Sequence, residues 1–325
     1  MDRLRGRAAA RARALPGPRP LHRPAGRRRL RPPLDGAGRP AGGTPPAHRH
    51  RALGGGARGG GAVTERRVAV DVDGRGIAHV RLARPEARNA IDSEMVDALA
   101  AAVAACETRP GVRCVLISAD GPSFTVGGDL RYMADHLDRL PEVLETLIGR
   151  YHATLTRLAE LPLPVVCAVR GGTAGGGLGL LWCSDVVIAA ADLKLASGFA
   201  HIALSGDGGS TWYLPRLVGL RRALDITLGG LVLSAAEALE WGLVSRVVPT
   251  EDLDAAAEET ARRFAAGPTV AYGHMRRLLR GSSTATFAEG LAAERRAIVD
   301  CGATADAGEG INAFVAKRPA HFEGR

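Results

Sequence analysis

Two apolar runs, VRCVLISA at residues 112–119 and PVVCAVRGG at 164–172, constrain the fold more than any other feature. A strand with one wet face alternates polar and apolar residues. A near-continuous apolar run of this length is buried on both faces, as in parallel strands covered by helices on either side. A third run, DVVIAAA at 185–191, follows the second after a short helical segment, GLGLLWCS. Each of the first two runs opens into a glycine-bearing loop and then a helix. The expected class is therefore α/β, with strands and helices alternating first and helices alone from Asp252 onward.

The flanking segments fit that reading. RRVAVDVDGRGIAHVRL alternates on either side of Asp73-Gly74, which predicts a β-hairpin with a tight turn. Ser93 to Cys106 has Ala-rich helical spacing, with Asp92 or Ser93 as its cap. A helix is expected from Leu130 to Leu161 and another from Arg221 to Gly229, followed by the segment Ala235 to Gly242 and a strand at LVSRVVP.

Charge divides the chain. The net formal charge is +9, but residues 1–62 carry 15 Arg, no Lys and two acids, a net of +13, so the remainder sums to −4. The same 62 residues hold 9 Pro and 13 Gly and no aromatic residue, a composition that cannot build a core. Three regions are expected: a disordered Arg/Pro/Gly-rich extension at 1–62, a folded α/β core at 63–255 and a helical region at 256–325. The extension reads as an unstructured arm or a start-site artefact, with Val63 as the expected true beginning. It lacks the aromatics that stack on bases and the apolar face that lies on a bilayer, so no nucleic-acid or membrane partner is expected. No apolar run is long enough to span a bilayer. Cys106, Cys114, Cys167, Cys183 and Cys301 are scattered without paired spacing, which predicts reduced thiols, a cytoplasmic protein and no metal cluster.

The segment VRGGTAGGGLGL holds six glycines between Gly171 and Gly179. A dinucleotide loop needs a full crossover helix, and GLGLLWCS is too short for one. A Walker loop needs a Gly-Lys-Ser or Gly-Lys-Thr that is not there. The oxyanion reading fits better, because two glycine loops each follow a buried strand and each opens a helix, where unpaired N–H groups meet a favourable dipole.

From about residue 66 the chain resembles the enoyl-CoA hydratase/isomerase (crotonase) family. RPEARNAID is similar to the opening loop of that family, SFTVGGDL to its first oxyanion motif and VRGGTAGGGLGL to its second. GDGGSTWYLPRLVG, LSAAEALEWGLVSRVV and EGINAFVAKRPAHFEGR resemble later segments. The resemblance implies a crotonase-like spiral of ββα units with a helical C-terminal region that trimerises, or pairs trimers into hexamers, and an acyl-CoA substrate with no separate cofactor and no metal. It implies Gly128 and Gly176 as oxyanion donors, with Gly127, Asp129, Gly175 and Phe199 among the substrate contacts and Asp129 also capping a helix. Arg84, Ala87 and Arg88 in the opening loop, together with Lys317, are expected near the nucleotide end of coenzyme A, and Trp212 and Tyr213 around the acyl group. His201 is expected as a satisfied interior residue and Asp185 as a structural acid.

Hydratases of the family carry two glutamates where this chain has Gly179 and Phe199. Neither residue transfers a proton, which argues against ordinary hydration. Asp207, in LSGDGGST, matches the aspartate of isomerase members similar to the epoxyphenylacetyl-CoA isomerase of phenylacetate breakdown. The implied function is an acyl-CoA isomerase with Asp207 as a single proton shuttle, shifting a double bond or rearranging an epoxide. The alternatives are a hydratase, a thioester hydrolase and a non-catalytic acyl-CoA-binding homologue.

Overall fold

Alternation of side chains along each central strand splits the protein into two cores. Val165, Cys167 and Val169 enter one of them, while Val166 and Ala168 enter the other. The computed structural model describes residues 67–325, within the unit Gly61–Arg325. The extension expected at 1–62 and the expected start at Val63 lie outside the described residues.

The strands are β1 (Val68–Val72), β2 (Ile77–Leu82), β3 (Cys114–Ala119), β4 (Val165–Val169), β5 (Gly172–Ala174), β6 (Val186–Ala190), β7 (Lys194–Ala196), β8 (Val232–Ser234) and β9 (Arg246–Val248). They form a six-stranded sheet in the order β1-β2-β3-β4-β6-β9 and a three-stranded sheet in the order β5-β7-β8. The hairpin β1/β2 is antiparallel, and every other pairing in the large sheet is parallel. Its turn is longer than expected. The Asp73 carboxylate accepts N–H bonds from Arg75 and Ile77, and Gly76, at φ 81°, supplies the left-handed residue.

One face of the large sheet packs on α1 (Ser93–Thr108) and α3 (Leu140–Glu160). In α1 the Asp92 side chain caps the Met95 N–H, and Met95, Val96, Leu99, Ala102, Val103 and Cys106 form the buried stripe. The helix expected over 130–161 is broken in two. Asp129 caps a short α2 (Leu130–Ala134), the chain then turns, and Pro141 restarts it as α3. The other face of the sheet packs on α7 (Leu253–Ala265) through Leu253, Ala257, Ala261 and Ala265. The expected boundary between residues 255 and 256 therefore falls inside a helix that covers the sheet.

The crossover from β4 to β6 is built differently from the one expected. The helix after β4, here α4 (Leu178–Trp182), is indeed short, yet β4 and β6 are parallel neighbours. The connection also carries β5 and a single helical turn at Gly175–Gly177, so it is the length of the whole connection that satisfies the crossover. Gly219, at φ 77° and ψ 159°, divides α5 (Ser210–Thr227) into two helices; the second is the helix expected near Arg221, and the first was not expected. Beyond α6 (Ala235–Glu240) and α7, the helical end comprises α8 (Thr269–Gly281), α9 (Phe287–Gly302) and α10 (Ala305–Val315).

Candidate active site

The two glycine loops touch backbone against backbone. Gly127 has φ 86°, and a Cβ there would lie 2.9 Å from the Ala174 carbonyl oxygen and 3.3 Å from the Gly176 nitrogen. A Cβ on Gly175 would lie 3.4 Å from the Gly127 Cα. Only chains without side chains at these points approach so closely. Polar pins hold the first loop in place: the buried Asn89 donates through Nδ2 to the carbonyls of Asp120 and Ser123, and Thr125 donates to the Asn89 carbonyl at 2.7 Å. Thr125 also bridges to Thr173 in β5.

Beside this contact, the N–H groups of Gly128 and Gly176 donate to no described residue, whereas Gly127 donates to Thr125 Oγ1 and Asp129 to the Ile91 carbonyl. Both glycines line a cavity of about 820 Å³. Two unpaired amides on one cavity wall are suited to bind an oxygen that gains negative charge. The remaining wall is mostly apolar, with Ile91, Leu144, Ile148, Phe199, Ile202 and Leu204.

Asp207 lines the same cavity. Gly208, at φ 62°, packs so tightly that a Cβ on it would lie 2.3 Å from the Gly176 carbonyl oxygen. This brings Asp207 down onto the glycine turn, and its Oδ2 lies 2.7 Å from where a Gly176 Cβ would be. Its Oδ1 is 2.5 Å from Nε2 of His152 on α3. One residue earlier, the buried Tyr151 hydroxyl donates to the Gly176 carbonyl at 2.9 Å. Burial, with Asp207 and Cys183 adding to it, pushes the Tyr151 phenol well above its usual range, so it remains a donor.

A model of the family described as Enoyl-CoA hydratase/isomerase matches residues 73–325. The chain belongs to the enoyl-CoA hydratase/isomerase family. It is 36% identical over 252 residues to the 1,2-epoxyphenylacetyl-CoA isomerase of Escherichia coli K12, covering 77% of this chain and 96% of that relative. It is 35% identical over 250 residues to a probable enoyl-CoA hydratase of Rhodobacter capsulatus, covering 77% of this chain and 95% of the relative. The crystal structure of a putative enoyl-CoA hydratase/isomerase from Mycobacterium abscessus superposes with TM-score 0.77 at 37% identity, over 79% of this chain and all of that one.

For a member of the enoyl-CoA hydratase/isomerase family, the neighbourhood of Gly179 is informative. A Cβ at this position would lie 2.7 Å from the Gly208 carbonyl oxygen and 2.5 Å from Leu155 Cδ1. The loop that carries Asp207 therefore occupies the space a side chain at 179 would need.

Several residues expected to contact substrate have other surroundings. Arg84 pairs with Asp129 at 2.7 Å and with Asp92 at 3.1 Å and donates to the Ala90 carbonyl, so it ties the opening loop to the first glycine loop rather than standing free for a phosphate. Asp129 caps α2 by accepting N–H bonds from Arg131 and Tyr132. Burial alone pushes its carboxyl up, but the Tyr132 N–H and the Arg84 guanidinium outweigh that and hold it below its ordinary value. Ala87 ends a single helical turn, Pro85–Ala87, and Arg88 follows it, exposed and left-handed at φ 51°. Lys317 is exposed just beyond α10. None of Ala87, Arg88 and Lys317 lines the cavity.

Trp212 and Tyr213 do not line it either. Trp212 stacks under Arg216 at 4.0 Å on the surface of α5, and the Tyr213 hydroxyl accepts from Arg280. Phe199 and Gly175 do line the cavity. His201 was expected inside, yet it is exposed at the cavity margin because its segment is a short turn rather than a buried strand.

Asp185 is the structural acid expected, held by Arg276 and Arg280 and accepting the Val165 N–H. Against the expectation of no metal cluster, the ligand atoms of Asp73, His79 and Glu258 lie within 4.8 Å of one another. Arg75 lies near both of these acids and Arg262 pairs with Glu258, which already balances the charge. All five cysteines are free, and no described helix is long and apolar enough to cross a membrane.

Asn89 lies in the opening-loop segment RPEARNAID without having been singled out there, and His152 and Tyr151 carry no motif. The nearest signal is the helical spacing of Leu147, Tyr151, Leu155 and Leu158, which marks the buried face of α3 and leaves His152 at its edge.

Proposed function

We propose that the protein is an acyl-CoA isomerase that shifts a carbon–carbon double bond. The thioester oxygen binds between the N–H groups of Gly128 and Gly176. Oδ2 of Asp207 removes a proton from C2, and the electron pair moves into the thioester as a dienolate whose charge rests on that oxygen. The same oxygen of Asp207 returns the proton at C4, so the double bond moves from C3–C4 to C2–C3 with nothing gained or lost. A carboxylate in an apolar pocket is suited to both halves of this exchange.

One observation carries the reading: Asp207 Oδ2 lies against Gly176 while position 179 has no room for a second proton-transferring side chain. Hydration needs such a second group, and isomerisation does not. A cavity of about 820 Å³ with aliphatic and aromatic walls suits a bulky apolar acyl group. Coenzyme A enters only as part of the substrate; with Arg84 tied down, Arg88 and Lys317 are the exposed basic residues from the expected set that remain for its phosphates. Ile298, Val299, Ile311, Phe314 and Val315 on α9 and α10 are exposed. We assign this apolar surface to self-association as a trimer, which light scattering tests through the solution mass.

The activity test follows the rise of the conjugated thioester when the protein meets a trans-3-enoyl-CoA, with product mass recorded. Formation of the 2-enoyl isomer at unchanged mass, slowed at least ~10²-fold in Asp207→Asn, is the expected result. A product heavier by one water, or conversion at an undiminished rate in the substituted protein, refutes the proposal.

A further inference from the structure

Asp207 has a weakness as a proton shuttle that moves between two carbons. It sits between Gly206 and Gly208 in a loop where Gly208 and Gly209 have positive φ, so its own backbone restrains it little. Among the described residues, its carboxylate accepts a hydrogen bond from one side chain only, His152. A carboxylate free to turn would swing either oxygen toward solvent and spend little time facing C2 or C4.

The geometry separates the two oxygens. Oδ1 is 2.5 Å from His152 Nε2, whereas Oδ2 rests over Gly176, beside one of the oxyanion donors. With the carboxylate ionised, the imidazole donates its Nε2–H, which selects that tautomer. His152 is itself well placed for this task. The buried stripe of α3, with Leu147, Tyr151 and Leu155, fixes the helix against the core, and Tyr151 anchors the neighbouring residue to the Gly176 carbonyl. The carboxylate, 18% exposed, is thus held by a ring that is 50% exposed but mounted on a rigid element. Glu145 and His201 also line the cavity, and neither hydrogen-bonds to Asp207.

We propose that His152 is a positioning residue, whose imidazole clamps Oδ1 of Asp207 so that Oδ2 alone faces the reacting carbons. The proposal rests on Asp207 being the proton shuttle. His152 does not touch the substrate in this arrangement and carries none of its protons.

Steady-state kinetics on a 3-enoyl-CoA test it with His152→Ala, His152→Asn and Asp207→Asn. His152→Ala is expected to lower kcat by ~10- to 10²-fold, the scale on which a misplaced group costs rate, with KM and Tm nearly unchanged. His152→Asn, which keeps a donor, recovers part of the loss. In the Asp207→Asn background, His152→Ala costs nothing further. A His152→Ala enzyme within twofold of the unsubstituted kcat, or one equally impaired with or without Asp207, overturns the proposal.

A second measurement is independent of turnover. Long-range proton–nitrogen spectra of the labelled protein should show His152 in its Nε2–H tautomer, with that bias lost in Asp207→Ala. Nitrogen shifts that ignore the loss of Asp207 refute the clamp whatever the enzyme does. Conversion retained by Asp207→Asn, with the tautomer shift still present, refutes the shuttle instead and leaves the contact standing.

Discussion

Asp185 and Asp207 are both loop aspartates facing α helices, yet their surroundings suit opposite tasks. Asp185 is saturated. Arg276 and Arg280 bind it, it accepts the Val165 N–H, and Arg276 goes on to hold the carbonyls of Leu158, Ala159, Leu161 and Cys183. Asp207 has one partner on one oxygen and an open cavity at the other. A fully bonded acid stabilises the chain that surrounds it. One left half-bonded beside unpaired amides keeps capacity for a ligand, and that contrast supports the role proposed for Asp207 better than either sequence context does.

The sharpest way to break the comparison is to neutralise each acid in turn. Asp207→Asn should lower isomerase turnover by ~10²- to 10⁴-fold, the usual range for loss of a general acid–base group, with Tm nearly unchanged. Asp185→Asn should do the reverse. It leaves a guanidinium that is 5% exposed without its counter-charge, for about 3–5 kcal/mol of lost stability, read as a lower denaturant midpoint while the folded fraction keeps its specific activity. If the two phenotypes exchange, the assignment of roles is wrong.

The support beneath the cradle is the next term. Tyr151→Phe removes the donor to the Gly176 carbonyl and leaves a buried acceptor unpaired, which should cost ~1–3 kcal/mol. Calorimetry should show a lower Tm together with slower turnover, because Gly176 carries both that carbonyl and, in the preceding peptide plane, the N–H proposed as an oxyanion donor. A lower Tm at full turnover would separate the carbonyl from the chemistry.

Asp129 sharpens the comparison through pH. Its carboxyl titrates below its ordinary value in the folded protein, so the stability it contributes is complete above that ordinary value and is lost as pH falls through the lowered one. Acid-unfolding curves of Asp129→Ala should be shallower in that acidic window than those of the unsubstituted protein and should lie below them near neutrality. Parallel curves would remove Asp129 from the stabilising set.

The smallest expected effect concerns Gly149 in α3. It faces the cavity between Glu145 and His152, and no atom lies within 4 Å of the place its Cβ would take. Alanine there should raise stability by about 0.5–1 kcal/mol, seen as a slightly higher Tm. A loss of stability would mean that the space is needed by the fold.

Much of this was legible in the chain. The apolar runs located β3, β4 and β6, and the glycine spacing located both loops, because burial on two faces and the absence of Cβ are written locally. The surroundings of Arg84 and Trp212 were not legible. An arginine in a family loop reads equally as a phosphate ligand or an internal tie, and only the approach of Asp92 and Asp129 decides between them. Trp212 falls on the outer side of the first half of α5, ahead of the break at Gly219, where no helix was expected.

By itself, then, the sequence determined the α/β class, the family and the two glycine turns, and it singled out Asp207 as the candidate acid. Tertiary structure alone decided that His152 meets Asp207 across 55 residues of chain, that Tyr151 supports Gly176, and that position 179 is closed by the Gly208 carbonyl. Strand burial and glycine turns depend on neighbours within a few residues. Contacts between a helix face and a distant loop depend on how α3 settles on the sheet, which no local pattern encodes.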